Sequence, residues 1–249
     1  MLIVDKAASA AAGKALDIRQ AGAVDGFHAA LDGTDDLSRV TGCDVCILAD
    51  RFGTGSPEWQ GEEALALVSR LSPYLGTTPL VFAGSSQSEL IGTVAREAGV
   101  ARARLIGSAP EAFAAAARAI VAMEARCSAR EVSLTVLGTP PRLMVPWSEA
   151  SVGGYALERV LDQVQLNRLD ARLPRLWPPG PYTLGLAAAR VAEAIVESSR
   201  SPRAVLTMLN GEFGVTNRIA TVPALLSSSG IVETRTPALN TRERVLLGL

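Results

Sequence analysis

The chain has 249 residues, 48% apolar and 20% charged, which is enough for a real core and excludes wholesale disorder. Lys and Arg total 24 against 25 Asp and Glu, a net charge of −1, so there is no basic footprint for nucleic acid or an anionic membrane. Three cysteines make no disulfide framework and point to a reducing, cytoplasmic setting, and the N-terminus is charged too early for a signal peptide. No apolar run approaches the ~18 residues of a membrane span; the best, 184–196, is broken by Arg190 and Glu193.

Along the first half, apolar runs at 2–4, 44–48, 79–83 and 104–107 predict strands, with a weaker one at 27–31. Between them lie helical stretches. Ala64, Leu67, Val68 and Leu71 repeat as one buried face. Ser86 and Glu89 have capping-box spacing ahead of Leu90 and Val94. Phe113, Ala117 and Ile120 form another stripe, and 131–138 reads as a further strand. Strand–helix alternation with nearly all-apolar strands implies a parallel sheet covered on both faces, an α/β arrangement.

The second half loses that alternation. It offers a short strand at 143–146, then a helix marked by Leu157, Val160, Leu161 and Val164. The Pro-rich stretch 173–180 is a loop, and Leu184, Ala188, Val191 and Ile195 mark another helix. Strands at 204–209 and 219–226 turn at Asn210-Gly211, and Asn240-Thr241-Arg242-Glu243 starts a final helix. This is an α+β unit, so the domains are placed at 1–130 and 131–249.

Isolated signals carry little chemistry. Cys43-x-x-Cys46 has the spacing of a redox or metal pair, but Cys46 lies in a strand and there is no second pair, so both read as structural thiols. Glu62-Glu63 and Asp35-Asp36 read as helix-start and turn signals. Trp59, Trp147 and Trp177 are scattered and suggest packing. Gly53-Thr54-Gly55 lacks the third glycine of a phosphate-binding turn.

Several stretches taken together are similar to the malate/lactate dehydrogenase family. They are Gly13-Lys14-Ala15-Leu16-Asp17, Gly33-Thr34 before Asp35-Asp36, Asp44-Val45-Cys46-Ile47, Met144-Val145-Pro146, and Leu209-Asn210-Gly211-Glu212-Phe213-Gly214-Val215, in the family's order and near its spacing. The resemblance implies a truncated Rossmann-like doubly wound parallel sheet followed by an α+β lactate/malate dehydrogenase C-terminal-like domain. By it, residues 1–5 match the family's second strand, and Asp5 is the acid that binds the adenosine ribose. The Gly-rich strand and turn that precede this strand in the family have no counterpart; a protein that starts further upstream is the alternative.

The same resemblance exposes vacant roles. Hydride transfer to a 2-oxo acid needs a His as proton donor, a carboxylate to orient it and arginines to clamp the substrate. Pro140 stands where the His should be, Phe113 for the Asp and Ala116 for the substrate-binding Arg, and Ser85 matches the Asn of an Asn-Pro turn. The loop that should bring two arginines reads Arg51-Phe52-Gly53-Thr54-Gly55-Ser56-Pro57-Glu58-Trp59, with Arg51 too close to the strand. The only histidine, His28, falls in the upstream run and reads as structural.

The expectation is therefore a catalytically inactive relative with no catalytic residue, no metal and no cofactor, Asp5 being vestigial. It would act as an oligomerising or regulatory subunit. The partner would be a second copy, as a homodimer through the helix beginning at Gly13, or a full-length paralogue, with neither nucleic acid nor membrane involved. The alternative is an active NAD-dependent 2-hydroxy-acid oxidoreductase with an atypical site. A last expectation concerns the sheet. Unpaired edges inside the protein would be expensive, so strand 2–4 should pair directly with 44–48, giving the order 2-1-3-4-5.

Overall fold

The structure, a computed structural model, describes residues 1–49 and 58–248. It divides into two compact units: Met1–Cys43 with Ser69–Gly76, and Asp44–Val68 with Thr77–Leu249.

The first unit is built on a βαβ element. Strand β1 (Leu2–Val4) runs into helix α1 (Ala8–Asp25) and returns as β2 (Asp32–Thr34), parallel to β1 and in register from Leu2↔Asp32 to Val4↔Thr34. The inner face of α1 is made of small residues, with Ala11, Ala15 and Gly22 buried. Small residues allow a close approach, and β2 answers in kind: a Cβ on Gly33 would lie 2.2 Å from the carbonyl carbon of Ala11. Gly33-Thr34 is thus a packing requirement between helix and strand. The helix stops at Gly26, whose φ of 78° few side chains tolerate. Asp36 caps the short turn Leu37–Val40, accepting from Ser38 N and Oγ at 2.9 and 2.7 Å, as the paired acids suggested.

The second unit opens with three parallel strands, β3 (Cys46–Leu48), β4 (Leu80–Phe82) and β5 (Leu105–Gly107). Helix α2 (Gly61–Leu75) begins on Glu62 and Glu63, and α3 (Ser88–Glu97) and α4 (Ala109–Ala125) follow β4 and β5. Every residue of β4 and β5 is buried, as befits strands covered on both sides. Short pairs come next: β6 (Val132–Ser133), the hairpin β7 (Leu137–Thr139) and β8 (Arg142–Met144), then β9 (Ser151–Val152) and β10 (Tyr155–Ala156). Helices α5 (Leu157–Val160), α6 (Gln163–Arg172) and α7 (Pro181–Val196) lead to β11 (Arg203–Asn210), β12 (Thr216–Ser227), β13 (Gly230–Thr234) and α8 (Thr241–Leu247).

One mixed sheet joins the two halves of this unit, in the order β3-β4-β5-β11-β12-β7-β8 with β13 also along β12. β11 pairs antiparallel with both β5 and β12, so the parallel sheet continues directly into antiparallel strands. Helix α7 buries Val191 and Ile195 against Val81, Ile106, Val205 and Leu226. A second cluster gathers Phe113, Ile120 and Val121 with Val145, Trp147 and Leu169. The fold is α/β, Rossmann-like with a C-terminal domain.

Several expectations are corrected. Among the described residues the strand pairings join β1 to β2 and β3 to β4, and the expected pairing of β1 with β3 is not among them. Its premise was that free edges would be buried; instead Leu2–Val4 and Cys46 are half-buried and Ile47 is exposed, so water can satisfy their backbone groups. No strand forms at 27–31, where the chain is irregular up to β2, and the run 131–138 splits into β6 and β7 in two different sheets. The helix through Leu157 and Val164 breaks at Asp162, which caps α6 in a capping box with Gln165.

Candidate functional site

In sheets of this kind ligands bind outside the carboxyl ends of parallel strands. Two such ends carry polar groups here, one in each unit. At the end of β1, Asp5 donates its N–H to Thr34 O at 3.0 Å, which fixes it beyond the strand pair. Its Oδ1 accepts from Ala7 N at 3.0 Å, just before α1. The side chain is exposed, so this carboxylate can accept from a further hydroxyl brought to the strand end.

The end of β4 is organised differently. The chain runs Gly84-Ser85-Ser86-Gln87 into α3, and Glu58, only 9% exposed, reaches into this turn. Glu58 Oε1 accepts from Ser85 N and Ser85 Oγ, both at 2.6 Å, and Oε2 accepts from Ser86 N at 2.7 Å. Two successive amides and a hydroxyl thus converge on one carboxylate, the arrangement of an anion nest. Gln87 is 1% exposed, and its Oε1 accepts from Gly84 N at 3.0 Å. Its Nε2 is buried, with no hydrogen-bond partner among the described residues. A Cβ on Gly84 would lie 2.8 Å from that nitrogen and 3.0 Å from Glu58 Cδ, so glycine makes room for both groups.

This geometry replaces an expectation. The Ser86–Glu89 capping box does not form; α3 starts at Ser88 without a side-chain cap bond from its N-cap residue Gln87. Glu58, 28 residues away in sequence, takes the Ser86 amide instead. Spacing along the chain gave no signal of this, because the partner comes from another segment.

The other positions singled out in the sequence lie as follows. Pro140 and Pro141 form the two-residue turn between β7 and β8, where Thr139 pairs with Arg142. Phe113 is 1% exposed within the core, its ring 6.5 Å from that of Trp177. Ala116 is half-buried on α4, and His28 is exposed in the irregular segment before β2. Arg51 and Gly53-Thr54-Gly55 lie outside the described residues. Cys43 and Cys46 are half-buried, the first in a loop and the second opening β3.

The stretch 209–215 is the turn of the β11–β12 hairpin, and its Glu212 is a buried anchor. Thr234 Oγ1 and Arg102 Nη1 donate to Glu212 Oε1 at 3.0 and 3.2 Å, while Asn210 N donates to Oε2. Burial pushes this carboxyl upward; the N–H groups of Asn210 and of Glu212 itself, with Thr234 and Arg102, outweigh it and hold the carboxyl below its ordinary value. This is a structural carboxylate. Among the described residues no helix is long and apolar enough to cross a membrane.

No protein-family model matches the chain. It is similar to the malate dehydrogenase of Oceanobacillus iheyensis, 29% identical over 241 residues that span 89% of this chain and 76% of that one. Against the malate dehydrogenase of Methanosarcina mazei the identity is 27% over 239 residues, spanning 89% and 78%. Among solved structures, the lactate dehydrogenase of Cryptosporidium parvum, complexed with lactic acid and β-nicotinamide adenine dinucleotide, superposes with a TM-score of 0.87 at 20% identity, over 99% of this chain and 85% of that one. These findings overturn the expectation that no cofactor belongs to this chain: a protein of the same fold holds the dinucleotide.

Proposed function

Starting from its homology to malate and lactate dehydrogenases, we propose that this chain binds NAD and associates with a second copy of itself, and that it does not turn over a 2-oxo acid. When bound, the dinucleotide supplies or accepts a hydride. Asp5 is the residue assigned to hold its adenosine ribose: a carboxylate beyond a parallel strand, accessible and capable of accepting from vicinal hydroxyls. No further protein contact to the dinucleotide is assigned.

One observation carries the inactive reading. Hydride transfer to a carbonyl needs a proton delivered to the oxygen, and the position matched to the family's proton donor is Pro140, at the tip of the β7–β8 hairpin. Proline has no titratable group. Phe113, matched to the orienting acid, is committed to the core and to Trp177, so it leaves no polar group there. The reaction class of the ancestor is thus retained in the fold and not in these side chains.

Association is assigned to α1, whose Leu16 and Val24, two turns apart on one face, are exposed. A homodimer in a reducing, cytoplasmic compartment is the working form, and a full-length paralogue is the other partner to look for. The decisive measurement is NADH fluorescence on titration of the purified protein, followed by NADH oxidation with oxaloacetate or pyruvate added. Saturable binding without keto-acid-dependent oxidation is expected. Turnover at an ordinary enzymatic rate would establish the alternative, an NAD-dependent 2-hydroxy-acid oxidoreductase with an unfamiliar proton donor, and absence of binding would remove the cofactor assignment.

A further inference from the structure

The apolar spacing in the sequence marks Val160 and Val164 as part of a buried helical stripe, and the structure leaves both exposed, at 40% and 58%. The break at Asp162 is the reason: its capping box with Gln165 starts α6 afresh and ends the single helix that the stripe assumed. Met123, near the end of α4, is 61% exposed as well. Met123, Val160 and the buried Leu161 line one open cavity of about 480 Å³ between the end of α4 and the α5–α6 segment. That volume is in the range of small-molecule sites.

The remaining lining is polar and carries an uncompensated charge. Glu124, mostly buried, is matched by Arg168 at 3.5 Å, so of the two guanidiniums at the cavity one is left over. That one is Arg126, whose side chain has neither hydrogen bond nor ion pair among the described residues. Gln165 Oε1 accepts from Asp162 N at 2.9 Å, which leaves its Nε2 to donate elsewhere. Arg126 also stands where the backbone favours another residue. It caps the C-terminus of α4 at φ 53° and ψ 45°, the left-handed conformation that glycine adopts most easily. The cap does not account for an arginine there; what the arginine adds is a free cation at the cavity.

We propose that this cavity binds a small amphipathic monocarboxylate, with its carboxylate on Arg126 and Gln165 and its apolar body against Met123, Val160 and Leu161. Charge-assisted bonds from Arg126 fix the head, while Arg168 stays with Glu124. The apolar body covers Met123 and Val160, which are otherwise left to water. One charge on the ligand answers one uncompensated guanidinium, and a neutral analogue forgoes that match. No covalent bond forms or breaks. The cavity lies wholly within the second unit and is independent of the NAD and dimer readings.

The test uses the whole chain labelled with carbon-13 at its methionine methyls and titrated with octanoate, acetate and octanamide. Octanoate should move the Met123 methyl saturably at millimolar concentration and leave those of the half-buried Met144 and the buried Met208 in place. Acetate, which lacks the tail, and octanamide, which lacks the charge, should each bind at least about tenfold more weakly. Arg126→Gly separates binding from folding. Glycine suits the left-handed cap, so Tm should hold or rise while octanoate affinity falls about tenfold. Arg126→Lys, which keeps the charge, should retain more of the affinity than Arg126→Gly. A Met123 methyl indifferent to octanoate, octanamide bound as tightly as octanoate, or Arg126→Gly binding like the wild type would each overturn the proposal.

Discussion

β1 and β4 each end a parallel strand pairing, one in each unit, and the protein treats the two strand ends in opposite ways. At β1, Asp5 makes one short-range bond to Ala7 and otherwise faces solvent, so the site is open to a ligand. At β4, the donors point to where an anion would sit, and the chain has supplied the anion itself in Glu58. An acceptor beyond one strand is on offer while a donor set beyond the other is already taken. The difference lies in which partner is mobile. An exposed carboxylate is satisfied by water and exchanges freely, whereas buried amides need a permanent partner, and a tethered carboxylate provides one.

That contrast can be broken by substitution, most sharply at Glu58. Glu58→Ala leaves the buried Ser85 amide and hydroxyl and the part-buried Ser86 amide without their acceptor and should destabilise the protein by about 2–4 kcal/mol, measured by urea unfolding. Asp5→Ala, which removes a single exposed bond, should leave the unfolding midpoint almost unchanged. If the two substitutions were equally destabilising, the distinction between an open and an occupied strand end would be lost.

Gly33→Ala probes the scaffold beneath Asp5. Its Cβ would meet the Ala11 backbone at 2.2 Å, so α1 must lift from β2, at a cost of about 1–3 kcal/mol. Proteolysis or hydrogen exchange should report that loss within Met1–Cys43. In binding, Asp5→Ala should weaken NADH by roughly tenfold, the worth of one hydrogen bond to a charged group, read from the fluorescence titration.

The smallest effect concerns Glu212, a second buried carboxylate. Its carboxyl is held below its ordinary value in the folded protein, so ionised Glu212 stabilises the fold at and above the ordinary glutamate range. That contribution is lost as the pH falls through the lowered folded value. Between pH ~5 and ~3 the wild-type Tm should therefore drop more steeply than that of Glu212→Gln, whose side chain does not titrate. Parallel curves would mean that Glu212 is not held ionised by its neighbours.

Read from the chain alone, the fold class, the alternation of the parallel strands and most helix positions were accessible. Apolar periodicity and local caps carry that information, as at Asp36 and in the Asn240–Glu243 capping box that opens α8. Asp5, Pro140 and Phe113 were also visible, since a resemblance compares residue with residue. Which strands pair, and which donors find which acceptors, belonged to the tertiary structure. β1 met β2, the run 131–138 divided between two sheets, and Glu58 took the Ser86 amide from 28 residues away. Local pattern is set by the rotation of successive residues about a helix or strand and so can be read in order. Pairing between distant segments is decided by which buried polar groups are left to be satisfied once those elements pack, and that is known only when they have.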